Sequence, residues 1–312
     1  MASVPFRQSR WTRPASIALT LALAGCGDAS RDPARAAASP PSEEAERPDA
    51  NAAATAPTPR ASAPGVPLPL ADSAPSALTH AAYLRAGDGW SPLLYLCDGI
   101  EGKRIALVTV PDANGLARLR VYRKPDLAAH DETVRLGDED PGAGQIMREI
   151  RRPDGGAFGN VHAINSGMLG DAAATTLPTL SSITDRTETT RCRWLPRGRV
   201  LLVGARRAAL VTAEPDGSYT YRSFDHDKPG RVTDAGEHGW SSTPTATVTG
   251  GRLVASAPRR AVYEFTAGPW TYRVSASADD RAPSASVTVL RDGRPAQTDA
   301  AIAYEMAAQR MP

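Results

Sequence analysis

The sequence lacks a long apolar run: the apolar stretch near its start, Ala15–Ala24, has only ten residues. A helix that crosses the hydrocarbon core of a bilayer needs about 20 consecutive apolar residues, so this stretch is too short to span. Helical periodicity is also nearly absent, which argues against an α-helical bundle. Aromatic side chains make up only 5% of the chain, and none occurs between Trp11 and Tyr83.

The first 26 residues combine a basic start, the short apolar run and the four residues Leu23-Ala24-Gly25-Cys26. The first two features are typical of a secretory signal peptide. The four residues resemble the lipobox of bacterial lipoproteins at every position. The resemblance implies that residues 1–25 are removed and that the thiol of Cys26 receives a lipid, which would anchor the chain to the membrane. The alternative is an ordinary secretion signal with an incidental cysteine.

The residue after the cysteine bears on the destination of such a lipoprotein. In that family an aspartate at this position typically retains the protein at the inner membrane, whereas this chain has Gly27. We therefore expect a location in the cell envelope, at the outer membrane and facing the periplasm. Asp28, one position further on, leaves the inner membrane as the alternative.

Residues 26–76 form a compositionally separate segment, rich in Ala, Pro and Ser, with ten prolines from Pro33 to Pro75. A segment without aromatic residues cannot bury enough apolar surface to offset the entropy lost on ordering. We expect a disordered linker between the lipid and the folded part. Residues 77–312 are then the folded region.

The folded region shows short alternating apolar and polar runs with turn residues every eight to twelve positions, which predicts a mainly β protein. The expected architecture is an antiparallel sandwich, meander or barrel. The predicted strands are 92–97, 103–110, 117–123, 145–152, 159–165, 199–204, 208–213, 219–224, 243–249, 252–256, 261–266, 270–276, 284–290 and 302–306. In the strand at 117–123, Leu119 and Val121 face one way, and Arg118, Arg120 and Tyr122 the other.

The C-terminal part carries the clearest strand pattern. Gly250-Gly251 predicts a hairpin turn between two short strands. The expected core residues are Val262, Tyr263, Phe265, Trp270, Tyr272 and Val287. One β domain and two small ones are both compatible with the pattern, and 225–240 is the expected seam if there are two.

Of the three cysteines, Cys26 is assigned to the lipid, which leaves Cys97 and Cys192. An even pair in an oxidising compartment predicts a disulfide. Two separate buried thiols are the alternative.

The formal charge of +2 falls to −1 when Arg7, Arg10 and Arg13 leave with the signal peptide, which argues against nucleic acid as a partner. A stretch without acidic residues still concentrates positive charge. Its arginines are Arg191, Arg193, Arg197, Arg199, Arg206 and Arg207. They are a candidate anion-binding patch for an anionic envelope polymer, and the alternative is a solvated strand face. Another envelope protein is the second partner that we consider.

No motif for catalysis or for a cofactor stands out. The five histidines lack the H-E-x-x-H spacing, and Ser166 is not within a G-x-S-x-G elbow. The group nearest to a metal cluster, Asp225-His226-Asp227 with Glu237-His238, has the composition of a solvated loop. We therefore expect no catalytic residues, no metal and no cofactor. An envelope hydrolase with dispersed catalytic residues is the alternative.

One further resemblance concerns the first cysteine of the folded region. Tyr95-Leu96-Cys97-Asp98 before a strand, with a later cysteine near the end of a β region, is similar to periplasmic inhibitors of C-type lysozyme. The resemblance implies a lipid-anchored, disulfide-closed β-barrel. In that family the inhibitory segment reads Ser-Gly-x-x-Tyr, whereas here Ser166-Gly167 is followed by Met168, Leu169 and Gly170, and this chain is much larger. Non-catalytic binding or scaffolding in the envelope is the function that we expect.

Overall fold

The computed structural model describes residues 78–142, 144–164, 177–186, 188–234, 239–257, 259–279 and 281–309. The predicted signal peptide, Cys26 and the linker lie outside these ranges, as do residues 165–170, Glu237 and His238. Within them the chain is all β, as predicted, with nineteen strands and no helix. Accordingly, the described part contains no helix of the length and apolarity that a membrane span requires.

The first nine strands form an antiparallel meander, in which each strand pairs with the next along the chain. They are β1 (Leu78–Ala86), β2 (Gly89–Asp98), β3 (Arg104–Thr109), β4 (Leu116–Arg123), β5 (Ala128–Gly142), β6 (Gln145–Arg151), β7 (Ala157–Ile164), β8 (Leu180–Thr184) and β9 (Thr189–Arg191). We call β1–β9 the N-terminal sheet. The sheet curls, because a bridge between Gly99 and Cys192 brings the end of β2 against the chain that leaves β9.

The remaining strands form a closed barrel and one small hairpin. The barrel strands are β10 (Gly198–Gly204), β11 (Arg207–Ala213), β12 (Tyr219–Asp225), β15 (Ala246–Ala257), β16 (Arg260–Ala267), β17 (Trp270–Ser277), β18 (Ser284–Arg291) and β19 (Arg294–Gln309). Pairing of β10 with β19 closes this eight-stranded antiparallel barrel. The hairpin pairs β13 (Val232–Asp234) with β14 (Trp240–Ser242), so the expected seam at 225–240 carries this hairpin.

Three apolar layers follow from the strand order. One fills the barrel, with Tyr221, Phe265 and Tyr304 among its members. A second lies inside the curled N-terminal sheet. The third lies between the outer face of the barrel and the outer face of the N-terminal sheet, and it includes Ile105, Leu107, Leu201, Val203 and Leu210.

The third layer explains the sequence of β10 and β11. Val200 and Leu202 point into the barrel, while Leu201 and Val203 point into the layer beneath the N-terminal sheet. A strand that is buried on both faces shows a continuous apolar run instead of an alternating one. The Val-Leu-Leu-Val run of β10 is therefore the expected sequence for a strand between two cores.

Two details of the C-terminal prediction are wrong. Gly250-Gly251 does not turn a hairpin, because β15 runs through both glycines, pairing with β12 before them and with β16 after them. A Cβ on Gly251 would lie 2.2 Å from the Phe265 ring, so this glycine makes room for a core aromatic side chain. Trp270 is 36% exposed, because it begins β17 at a tight turn, where Arg291 lies over its ring. Tyr263, Phe265, Tyr272 and Val287 contribute to the core of the barrel as predicted, and Val262 is buried outside that core.

Candidate functional site

The predicted disulfide between Cys97 and Cys192 is present, with the two Cα atoms 4.8 Å apart. It lies within the core of the N-terminal sheet, where both cysteines are almost completely buried. Asp98 and Arg193, the residues that follow the two cysteines in the chain, add further bonds to this link. The Arg193 amide donates to the carbonyl of Asp98 at 2.8 Å, and the Arg193 guanidinium donates through Nε to the Asp98 carboxylate at 2.7 Å. The dipeptides Cys97-Asp98 and Cys192-Arg193 are thus joined by both a disulfide and a salt bridge.

Asp98 is the centre of a buried cluster of charged side chains. Lys124 Nζ donates to Asp98 Oδ1 at 2.5 Å and to the carbonyl of Gly99 at 3.2 Å. Arg193 Nη1 donates to the hydroxyls of Ser241 and Ser242, both at 3.1 Å. The guanidinium carbon of Arg193 lies 3.4 Å from the centre of the Phe224 ring. The cluster therefore connects β2, the β4–β5 turn, the segment before β10, β12 and β14.

The electrostatics of this cluster are those of a structural link. Burial acts to raise the pKa of Asp98, but the Lys124 and Arg193 cations outweigh it and hold the pKa well below its usual value. The carboxylate therefore stays ionised at neutral pH. The Asp98 side chain is fully buried and those of Lys124 and Arg193 are 2% exposed, so no ligand reaches them from solvent.

A candidate for a ligand site is a cleft of about 290 Å³ at one end of the N-terminal sheet, which we call the mouth cleft. Its residues are Leu119, Val121, Arg123, His130, Glu132, Phe158, Asp185 and Arg186. The apolar members belong to the core inside the sheet and form the floor. Side chains alternate between the two faces of a strand, so Arg123 follows Leu119 and Val121 on the inward face of β4. The charged members form the rim.

Most charges of the rim are already neutralised. Arg186 Nη2 donates to Glu132 Oε1 at 2.8 Å, and its guanidinium carbon lies 5.2 Å from the centre of the Phe158 ring. His130 Nε2 lies 3.0 Å from the same Glu132 oxygen. Asp185 accepts a hydrogen bond from Arg104, which is nearly buried behind it. Among the described residues, Arg123 has no carboxylate partner. The mouth cleft thus combines an apolar floor with one arginine that has no ion-pair partner among the described residues.

A second cleft, of about 620 Å³, opens at one end of the barrel. It lies between the β15–β16 turn and the β17–β18 loop and is lined mostly by alanine and serine, with Arg259, Arg260 and Asp279. Pro258 and Asp280 of those two connections lie outside the described residues. Its wall offers no apolar floor of large side chains comparable to that of the mouth cleft, which makes it the weaker candidate for a small ligand.

The structure disperses the six arginines of the predicted patch. Arg193 is in the buried cluster, and Arg191 donates to Glu101 Oε1 at 2.8 Å on the outer face of β9. Arg206 and Arg207 face Asp299, at 2.9 and 3.8 Å. Arg197 and Arg199 flank the start of β10, where both are partly buried. A buried guanidinium cannot contribute to a surface patch, so at most five of the six could act together.

The histidines are likewise separate. His226 is buried, with Nε2 3.0 Å from the carbonyl of Gly204, and desolvation lowers its pKa. His80 lies 3.2 Å from Glu305, and His162 lies 2.6 Å from Gln145 Oε1. Within the described ranges, no group of three or more His, Cys, Asp or Glu side chains could hold a metal ion. His130 alone lies in the mouth cleft. The sequence does not reveal this cleft, although the alternation in β4 places Arg123 on the face of Leu119 and Val121.

Comparison of this chain with protein-family models, with curated proteins and with solved structures finds no match.

Proposed function

We propose that this chain is a lipid-anchored protein of the bacterial cell envelope whose β domain binds a small molecule in the mouth cleft without changing it chemically. The mouth cleft is the observation that carries the proposal. A concave site with an apolar floor and a few converging polar groups is the usual form of a small-molecule site. The anchor rests on the lipobox-like residues Leu23–Cys26.

Binding is favoured over hydrolysis by the residues of the cleft. None of the described residues that line it is a serine, threonine or cysteine, so it offers no hydroxyl or thiol nucleophile. Its two carboxylates, Glu132 and Asp185, are each held by an arginine. Both carboxylates are thus engaged in hydrogen bonds with arginines and are not free to exchange a proton with a bound ligand.

The binding half of this proposal is tested by a fragment screen of the full chain by ligand-observed NMR. Fragments of about a dozen non-hydrogen atoms should bind, because a cavity of about 150 Å³ accommodates benzene and this cleft is nearly twice as large. Phe158→Ala should abolish that binding, whereas Trp270→Ala, at an exposed barrel turn, should leave it intact. A screen without binders, or binders indifferent to Phe158→Ala, would contradict the proposal.

The anchoring half is tested by replacing Cys26 with serine in the native host and following labelled fatty acid and membrane fractionation. The wild-type chain should be acylated and membrane-bound, and Cys26→Ser should be neither. Cys192→Ser is the matched control, because it changes a cysteine that lies in the folded core as half of the disulfide with Cys97. An acylated, membrane-bound Cys26→Ser variant would show that the anchor is assigned to the wrong residue.

Inhibition of C-type lysozyme is a second candidate function. It is favoured by the position of the Cys97–Cys192 disulfide, which closes a curled β-sheet. The segment 165–170, which contains Ser166-Gly167, lies outside the described residues. A lysozyme turbidity assay with the full chain decides this candidate, since inhibition at a one-to-one ratio supports it and unaltered lysis at large excess excludes it.

A further inference from the structure

We propose that the mouth cleft is specific for a small apolar molecule that carries a carboxylate, and that Arg123 is the residue that recognises it. This inference rests on the proposed function, because it names the class of ligand that the same site would take. It depends on three observations: the charge balance of the rim, the position of Arg123 relative to the floor, and the size of the cleft.

The ion pairs of the rim leave one arginine that can accept an anion from outside. Glu132 is bound by Arg186, and Asp185 is bound by Arg104. Each carboxylate of the cleft is therefore already engaged by a guanidinium, although Arg104 is shared with Glu188, whose Oε2 lies 3.2 Å from Arg104 Nη1. Arg123 is the lining arginine that has no carboxylate partner among the described residues. Arginine presents a fixed fork of donors that matches a carboxylate with two parallel hydrogen bonds.

The position of Arg123 fixes how a ligand would lie. The strand β4 places Leu119, Val121 and Arg123 at alternate positions on one face, so the floor and the cation form one row. Phe158 completes the floor from β7. A ligand with its carboxylate on Arg123 would thus extend its apolar part over Val121 and Leu119, beside the Phe158 ring. An aromatic or branched aliphatic group is suited to that surface.

The size of the cleft limits the ligand. A volume of about 290 Å³ is close to twice the roughly 150 Å³ that holds benzene, which corresponds to about a dozen non-hydrogen atoms. A free arylalkanoic acid and the C-terminal residue of a peptide both have this size and chemistry. A long acyl chain or an oligosaccharide does not fit within the cleft.

Isothermal titration calorimetry of the full chain in detergent tests this inference with three probes. They are 3-phenylpropionate, its uncharged amide 3-phenylpropionamide, and N-acetyl-glycyl-phenylalanine. We expect 3-phenylpropionate to bind about fivefold more tightly than the amide, since a well-aligned charge pair with an exposed arginine is worth up to about 1 kcal/mol. Arg123→Gln should remove that preference without unfolding the chain, because Arg123 is exposed.

Arg118→Gln is the matched control. Arg118 is on the same strand but on the opposite face, with its side chain 54% exposed and 4.0 Å from Asp131. It should leave the affinities unchanged. If the peptide binds more tightly than the free acid, the carboxylate comes from a peptide C-terminus, and if it does not, the ligand is a free acid. Both results support the inference.

Equal affinity for acid and amide, or an acid preference that survives Arg123→Gln, would overturn it. Those results would leave the proposed function intact, because fragments could still bind the apolar floor. Loss of fragment binding altogether would reject the proposed function, and this inference with it.

Discussion

The barrel and the N-terminal sheet solve the same structural problem, which is how to join the two ends of a curved sheet, in different ways. The barrel closes with backbone hydrogen bonds, since β10 and β19 pair over a ladder from Val200–Met306 to Gly204–Ala301. The N-terminal sheet has only the bridge between Gly99 and Cys192 at the corresponding place. There, the Cys97–Cys192 disulfide and the ion pair of Asp98 with Arg193 supply the closure.

The difference shows that a short final strand must be secured by side chains. The strand β9 contains three residues, which is too few for a long ladder, whereas β19 contains sixteen. The closure of the N-terminal sheet depends on the few residues that form the disulfide and the buried ion pairs. The closure of the barrel depends on the many residues of its strand ladder and apolar core. We therefore expect single substitutions to affect the N-terminal sheet more severely than the barrel.

The N-terminal sheet and the barrel also differ in the environment of a buried carboxylate. Asp98 has two cationic partners, and its pKa is lowered despite its burial. Glu305 of β19 is also fully buried, but its one partner for an ion pair is His80, and desolvation raises its pKa. The first carboxylate stabilises the fold as an anion, whereas burial makes the ionised form of the second less favourable in the fold than in the unfolded chain.

The largest effect is expected from Asp98→Ala. It would leave Lys124 and Arg193 buried without a counter-charge, which costs about 3–5 kcal/mol of unfolding free energy. Urea denaturation measures this loss. Asp131→Ala is the matched control, because the Asp131–Arg120 pair is partly exposed and should contribute at most about 1 kcal/mol. Equal losses for the two variants would mean that the buried cluster does not secure the sheet.

Asp98 also predicts a dependence on pH. Its folded-state pKa lies below the usual value of about 3.9, so its contribution is fully present above that pH and is lost as the pH falls toward the folded-state value. Wild-type stability should therefore decline in acid below about pH 4 more steeply than that of Asp98→Ala. Parallel curves for the two proteins would contradict this assignment.

The next largest effect is expected from removing the disulfide by the double substitution of Cys97 and Cys192 with serine. The bridge closes a loop with a sequence separation of 95 residues, and loss of a native disulfide typically costs about 2–5 kcal/mol. Hydrogen exchange should localise the loss: amides of β2, β8 and β9 should exchange faster, while those of β16–β18 stay protected. Uniform acceleration throughout the barrel would show that the two regions unfold as one unit.

The sequence predicts much of this architecture, because strand patterns and cysteine parity are local signals. The fourteen predicted segments fall on thirteen observed strands, since two of them belong to β15, and the Cys97–Cys192 pairing follows from parity and compartment. The long strand β5 was missed because its residues are mostly exposed and polar, so it lacks an apolar alternation. Gly250-Gly251 was misread as a turn because the ring of Phe265, which requires the space, is remote in sequence.

The buried cluster around Asp98 and the mouth cleft differ in how far the sequence reveals them. Arg193 was read as part of a surface patch because charge density alone does not show burial, and its partner Asp98 lies 95 residues away. The mouth cleft is lined by residues of β4, β5, β7 and the segment after β8. These residues are far apart in the sequence, and only the fold brings them together. The inward face of β4 was the one part that alternation alone could have identified.

The smallest expected effect concerns the second buried carboxylate and has the opposite sign. Glu305→Gln keeps the size of the side chain and removes the buried charge, so the variant should be more stable than the wild type at neutral pH, by about 1 kcal/mol. For a domain of this size that corresponds to a rise in Tm of about 2–4 °C, which differential scanning calorimetry resolves. The result would show that the barrel tolerates a buried acid because its closure depends on many other contacts.

The pH dependence separates this explanation from a general gain in packing. The pKa of Glu305 in the fold lies above its unfolded value of about 4.3, so the unfolded chain releases that proton first as the pH rises. Wild-type stability therefore falls as the pH increases through this interval, and the advantage of Glu305→Gln should grow from nearly zero at pH 4 to its full value above the folded-state pKa. Glu264→Gln in β16 is the matched control, since Glu264 accepts hydrogen bonds from Arg252 and Arg273 and its pKa is lowered. That variant should be slightly less stable than the wild type at neutral pH. A Glu305→Gln variant that is less stable than the wild type at pH 7 would mean that the His80–Glu305 pair stabilises the junction of β1 and β19 as an ion pair, and that the contrast with Asp98 is wrong.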